Sequence, residues 1–335
     1  MREQHMDNSI MRFIESQVKR VATVLALAMT VIATAQAQSY PDKPIKIISP
    51  SPPGGGTDTA TRLVTAKVTE LTQWVFVVDT RPGAGGNIGL AAGATAQADG
   101  YTLVMGETSN LTVNQYLYKS MPVDPEKQLA PVALIGTGPL VLVVQASKPY
   151  RNLGEVVAAA KQSPLTYASS GSGTVGHLVS ESFKRQSGVQ FIHVPYKGAG
   201  PAMADLLGGQ VDIYFSSLTA ALPLVQSGKL KALAVTSAAR VAALPGVPTL
   251  IEAGYPGLDY YVFYGVVAPA RTPTAVVQTL NREIDRALQT SELQKALADR
   301  GIFTQPGTPE AFGEFLKKER TKWQKIVRES GATVD

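Results

Sequence analysis

"LTYASSGSGTVGHLVSESF", residues 165–183, is the stretch whose reading decides the fold. Leu165 to Ala168 reads as a short strand and the run from Val175 onward as a helix, and between them Gly171, Gly173 and Gly176 spell G-x-G-x-x-G. Glycines at that spacing let the backbone turn tightly and bring free amide N–H groups and a helix N-terminus up to an anion. The anion is then either a dinucleotide or something smaller. A dinucleotide site needs an Asp or Glu roughly 20 residues on, to hold the ribose. That region reads "FIHVPYKGAG", residues 191–200, and contains no acid. NAD is set aside on this ground, and no cofactor is expected.

Outward from this stretch, short β-rich segments alternate with helical patterns: 45–49, 75–79, 101–105, 140–144, 165–168, 191–194, 211–215 and 230–235. Such alternation predicts α/β architecture with parallel sheets built from βαβ units. The segments also repeat. "IKIISPSPPGGGTDTA", "FVVDTRPGAGGNIG" and "DGYTLVMGETSN" match, in order, "LTYASSGSGTVGHL", "FIHVPYKGAGPAMA" and "GQVDIYFSSLTA". Each half runs from a strand into a Gly-rich loop and helix, then a strand into a Gly-Ala-Gly loop and helix, then a strand ending in small hydroxyl residues. Two lobes of one design are expected. Ligands of open α/β sheets bind beyond the carboxyl ends of the strands, so facing lobes would gather all these loops around one cleft.

The loops describe the ligand. Gly54 to Gly56, Gly83 to Gly86, Gly171 to Gly173 and Gly198 to Gly200 suit close approach of amide N–H groups to oxygen acceptors. Only Arg81 and Lys197 lie beside them, and no Gly-Lys-Ser/Thr phosphate loop occurs. A carboxylate can be held by N–H groups and hydroxyls without such charges. Two anion sites suit a dicarboxylate, or an acid with a second polar end.

The remaining composition narrows the class. The 335 residues are 44% apolar, enough for a sizeable core. Lys19 and Arg20 precede an apolar run from Val21 to Ala33, and Ala35-Gln36-Ala37 has the form of a signal-peptidase site. Residues 1–37 are read as a signal peptide cleaved near Gln38, with Met6 or Met11 as alternative starts, and the mature protein as exported and soluble. Cysteine is absent, so disulfides, thiolate nucleophiles and Cys metal sites are excluded. The net charge of +5 is mild and scattered, with no basic stripe interleaved with aromatics, so no nucleic-acid partner is expected.

Enzyme chemistry finds little support. Ser170 and Ser172 do not fit G-x-S-x-G, and a triad would have to use His177 or His193. His177 falls in the first turn of its helix, placed either to touch a ligand or to pack; His193, on a strand, reads as structural. With no H-x-x-x-H and no acidic cluster, a metal site is not expected. Phe312, Phe315, Leu316, Trp323, Ile326 and Val327 recur on one helical face and read as core.

The chain resembles the periplasmic solute receptors of tripartite tricarboxylate transporters, often called the Bug family, from Tyr40 to Asp335. The resemblance rests on "YPDKPIKIISPSPPGGGTD", "RPGAGGNIG", "DGYTLVMG", "YASSGSGTVGHL", "HVPYKGAGPAMADLLGGQVD", "KLKALAVTSAARVAALPGVPTLIEAG" and "GATVD". It implies a two-lobed Venus-flytrap periplasmic-binding-protein fold, with two mixed, mostly parallel sheets and a crossover hinge. Domain I would be 40–138 plus 265–335, and domain II 139–264. It further implies a monomeric periplasmic receptor for a di-, tri- or aromatic carboxylate, feeding membrane transporter subunits or a sensory partner. The alternative is a secreted enzyme acting on an acid in the same cleft.

Carried over by motif, the resemblance puts Gly55, Gly56, Thr57 and Asp58 at one carboxylate, with Gly86, Asn87, Thr108 and Ser109 beside them. Ser170, Gly171, Ser172 and His177 come from the second lobe, with Ser216 standing where the family often has Asp. That exchange disfavours an amino-acid ligand. Glu107, in a loop of Gly-Thr-Ser type in the family, is an oddity that could alter the rim. Each residue has a plainer reading. Thr57 or Asp58 can cap the following helix, while Thr108, Ser109, Ser216 and Ser217 can terminate strands. Asp79 and Arg81 read as loop pins. "YYVFYG", residues 260–265, reads as a strand near the crossover, with alternate side chains able to line the cleft.

Overall fold

The βαβαβ unit expected from the repeat occurs twice. A computed structural model describes Gln17, residues 40–332 and Val334. The expected cleavage site near Gln38 lies outside the described residues. The chain divides into Met1–Asp42 and Lys43–Asp335, and both copies of the repeat lie in the second unit. Strand β1 (Ile45–Ser49) leads into α1 (Gly56–Thr72), β2 (Phe76–Thr80), α2 (Asn87–Ala94) and β3 (Thr102–Glu107). Helix α1 buries Thr57, Ala60, Thr61, Val64 and Val68, one face at a period of 3.6. Strand β1 pairs in parallel with both β2 and β3.

A single long strand, β4 (Leu129–Gln145), carries the chain to the second half. There α3 (Leu153–Gln162) precedes β5 (Leu165–Ser169), α4 (Val175–Ser187), β6 (Phe191–Pro195), α5 (Ala199–Leu207) and β7 (Ile213–Ser217). Strand β5 pairs in parallel with β6 and β7, the arrangement of β1 with β2 and β3. Helix α6 (Leu218–Gln226) and β8 (Leu230–Val235) follow, and β9 (Tyr261–Pro269) returns to the first half. Helices α7 (Thr274–Leu288) and α8 (Ser291–Ala298), the two-residue β10 (Phe303–Thr304) and α9 (Pro309–Ser330) complete the chain. Each half has its own core. Ile48, Leu90, Val104, Phe263 and Phe312 meet in the first, and Val141, Ala168, Leu206, Tyr214 and Leu222 in the second. Phe312, Leu316, Trp323 and Val327 of α9 are buried as their spacing implies.

The sheets are mixed: parallel within each repeat, antiparallel where the halves are joined. Strand β3 runs antiparallel to β9, β9 to β4, and β4 to β7. Strands β3 and β7 therefore point in opposite directions, carboxyl ends toward each other. The register fixes the gap. Glu107, last in β3, faces Tyr264, which faces Gly136. Ser217, last in β7, faces Leu140. The two strand ends are thus offset by only four positions along β4, about 13 Å at roughly 3.3 Å per residue.

Sequence punctuation concealed most of β4. Only 140–144 reads as strand, because Pro131, Gly136, Gly138 and Pro139 signal turns. In the structure β4 absorbs these residues with register shifts between Pro131 and Ala133 and between Leu134 and Gly136. A Cβ on Gly136 would stand 2.3 Å from the Phe303 carbonyl oxygen, so this glycine marks close approach of β10. Gly136→Ala is expected to destabilise by roughly 1–3 kcal/mol through overpacking. Gly246→Ala, where a Cβ meets nothing within 4 Å, should change stability by less than about 0.5 kcal/mol. Urea midpoints of the two variants check this.

Candidate functional site

All six loops that end the repeat's strands reach one cavity of about 330 Å³, at the low end for small-molecule sites. From the first half come Pro50 to Pro52, Gly55, Gly56 and Thr57 after β1, Gly83 to Gly86 after β2, and Glu107 and Ser109 at the end of β3. From the second come Ser170 to Ser172 and Thr174 to Gly176 after β5, Pro195 to Ala199 after β6, and Phe215 and Ser217 of β7. Leu140, Val262 and Tyr264 form part of the wall where β4 and β9 cross.

Helix N-termini supply the donors. Gly55 precedes α1 in extended conformation with no side-chain cap, leaving first-turn N–H groups of Gly56 and Thr57 at the cavity. Thr174 does the same for Val175 and Gly176 of α4; its own hydroxyl donates to the Gly171 carbonyl at 2.8 Å. Between β2 and α2 the chain passes through positive φ at Gly83, Ala84, Gly85 and Gly86 in succession, a course open mainly to glycine. The two halves meet over the cavity: a Cβ on Gly198 would lie 2.3 Å from Pro52 Cγ. The G-x-G-x-x-G spacing also does structural work, since a Cβ on Gly176 would lie 2.6 Å from the Phe215 carbonyl oxygen. That is the helix-on-strand packing expected of the third glycine.

Eight of the thirteen anticipated residues line this cavity: Gly55, Gly56, Thr57, Gly86, Ser109, Ser170, Gly171 and Ser172. Five do not. Asp58 turns back on its own loop, accepting the Gly54 N–H at 3.2 Å and pairing with Arg62 at 2.9 Å. It braces the loop before the helix and does not cap it, since Gly55 is the cap residue and has no side-chain cap. Asn87 accepts from Asn114 Nδ2 at 2.7 Å and buttresses the glycine turn from behind. Thr108 Oγ1 accepts the Phe263 N–H at 2.8 Å, tying β3 to β9. Ser216 is fully buried and donates to the Ser217 carbonyl, because alternation along β7 turns Phe215 and Ser217 to the cavity.

His177 is the fifth. Its Nδ1 accepts the Gly173 N–H at 3.2 Å, and its ring stacks on His193 at 4.1 Å between centroids. Burial, reinforced by the neighbouring His193, pushes its pKa down to about 3, so it stays neutral and holds the loop. Arg81 is paired with Asp79 at 2.8 Å, as a loop pin. Lys197 lines the cavity from an exposed position.

Glu107 is the residue whose place sequence reasoning underrated. It lines the cavity, and Thr57 Oγ1 donates to its Oε2 at 3.3 Å. No cation among the described residues pairs with it. Burial raises its pKa from the ordinary 4.5 to about 7, against the lowering effect of the Thr57 hydroxyl. The available signal was the repeat: Glu107 and Ser217 both end the third strand of their half.

A family profile described as "Tripartite tricarboxylate transporter family receptor" matches residues 60–332. The chain belongs to this family. It is 37% identical to protein BugT of Bordetella pertussis over 305 residues, 90% of this chain and 94% of BugT. Among solved structures, Rpa4515 of R. palustris with adipate is similar at a TM-score of 0.86 and 34% identity, covering 88% of this chain and 99% of that one. The periplasmic binding protein BugD is similar at 0.84 and 31% identity, over 88% and 99%. These neighbours are solute-binding proteins, and the fold is the two-lobed one of periplasmic binding proteins. Among the described residues, no helix of this receptor is long and apolar enough to cross a membrane.

The raised pKa of Glu107 has a consequence for stability. A carboxyl titrating higher in the folded than in the unfolded state costs stability when ionised. The cost is full above about pH 7, shrinks as pH falls, and is gone below 4.5. Glu107→Gln should therefore melt higher than the parent at pH 8, with the difference vanishing near pH 4.5. Equal melting temperatures at pH 8 would contradict this half-buried placement without a neighbouring cation among the described residues.

Proposed function

We propose that this chain is an exported receptor that binds a small organic carboxylate in the 330 Å³ cavity and delivers it to membrane subunits of a tripartite tricarboxylate transporter. The observation that carries the reading is the convergence of six strand-end loops and several uncapped helix N-termini, those of α1 and α4 among them, on one small cavity with few cationic side chains. N–H groups and hydroxyls so arranged suit carboxylate oxygens. Phe215, Tyr264 and Leu140 give an apolar wall for a carbon skeleton or ring.

In this reading Gly55, Gly56, Thr57, Gly86 and Ser109 face the ligand from domain I, and Ser170, Gly171 and Ser172 from domain II. The domains are 40–138 with 265–335, and 139–264; the boundary near Gly138 coincides with the point where β4 exchanges β9 for β7 as partner. The receptor acts as a monomer in the periplasm after cleavage near Gln38, and performs no chemistry on its ligand.

A thermal-shift screen of the mature protein tests this. The panel holds aliphatic dicarboxylates, citrate, aromatic acids, acidic amino acids and NAD. A cognate acid at a hundred times its Kd should stabilise by about 2.7 kcal/mol and be recovered unchanged. A shift with NAD alone, or turnover of the acid, would overturn the reading.

A further inference from the structure

Negative charge is distributed unequally between the two anion-binding walls. On the second half's wall, neither α4 nor α5 has an acidic residue in its first turn. On the first half's wall, the first turn of α1 already has two carboxylates beside it. Asp58 is engaged by Arg62 and the Gly54 N–H outside the cavity. Glu107 is inside, held only by the Thr57 hydroxyl and with no cation among the described residues to neutralise it.

The groups facing Glu107 from other elements do not change this balance. Tyr264 of β9 and Tyr214 of β7 both feel its charge, and burial pushes both phenols up, Tyr214 to about 12, so they remain protonated. Asn110, on its own turn, accepts the Glu107 backbone N–H rather than touching the carboxylate. Lys197, at the exposed rim, makes no ion pair with it among the described residues. Both walls offer free helix N–H groups, but only the first half's wall also carries a charged acceptor inside the cavity. A dicarboxylate spanning the two would set like charges against each other in a confined site, which costs several kcal/mol.

We infer that Glu107 is the specificity-determining residue of this site, and that the ligand is a monocarboxylate whose far end donates hydrogen bonds, an ammonium or a primary amide. The carboxylate seats against the first turn of α4, and the donor end meets Glu107. This rests on the carboxylate-receptor reading above and narrows it, away from the dicarboxylate and tricarboxylate classes. It departs from the expectation against amino-acid ligands drawn from Ser216, because a carboxylate stands on the opposite strand end, at Glu107.

Calorimetric titration with matched acids tests the inference. Succinate, succinamate and β-alanine share one skeleton and end in carboxylate, amide and ammonium; adipate, adipamate and 5-aminopentanoate extend the set, and isophthalate with 3-aminobenzoate covers rings. At pH 8 the wild type is expected to bind the best donor-ended acid at least about tenfold more tightly than its dicarboxylate counterpart. Ammonium and amide ligands are separated by Glu107→Gln, which should weaken the first strongly and the second little, while tightening the dicarboxylate. Lowering the pH to 5.5 should likewise improve dicarboxylate binding by the wild type alone. Dicarboxylate binding at pH 8 as tight as that of the donor-ended partner, unaltered in Glu107→Gln, would overturn the assignment and leave the receptor standing. Silence from every acid in both proteins would overturn the receptor reading, and this one with it.

Discussion

The antiparallel pairing of β4 with β9 is the constraint on which the rest of the molecule depends. Each βαβαβ half can form its own parallel sheet, but neither alone makes a cleft. Because β3 pairs with β9 and β7 with β4, their antiparallel register turns the carboxyl ends of the two sheets toward one another. The offset between Gly136 and Leu140 then sets the size of the space between them. Had β4 slipped by one residue, a side chain would replace Gly136 beside the Phe303 carbonyl oxygen, where even a Cβ would stand 2.3 Å away.

Within that frame, the loops are shaped by what the strand ends must do. Free N–H groups at the first turns of α1 and α4 have no partners within their helices and so remain available to a ligand. Small residues let the loops of the two halves touch, as at Gly198 and Pro52. Side chains that a sequence motif places beside these loops mostly brace them from behind: Asn87 through Asn114, Thr108 through the β9 backbone, His177 through the Gly173 N–H. The cavity surface is left to backbone, hydroxyls and a few apolar walls, with Glu107 inside and Lys197 at the exposed rim as its charged groups.

Much of this was legible in the sequence. Seven of the eight strands read from the alternation are short and lie within a residue or two of their observed limits, because a βαβ repeat signals itself twice; the strand read at 260–265 runs on to Pro269. The eighth, β4, is far longer than its apolar stretch, since its Pro and Gly residues serve bulges and a close contact with β10 rather than turns. At the site, glycines and hydroxyls at strand ends were readable as cavity lining. Side-chain direction was not: which of Ser216 and Ser217 faces inward depends on strand parity, and Asp58 faces its own loop because Arg62 lies one turn on. The repeat also placed the loop after β6 at the cleft, and it lines the cavity as its counterpart after β2 does.

A crystal structure of the mature protein with a bound acid is the most direct test of the claim that this cavity is a carboxylate site built from backbone donors. Carboxylate oxygens are expected within about 2.7–3.2 Å of the Val175 and Gly176 N–H groups, with the far end of the ligand beside Glu107. A ligand seated outside the cavity, or one whose carboxylate is held by Lys197 while the helix termini stay bare, would contradict it.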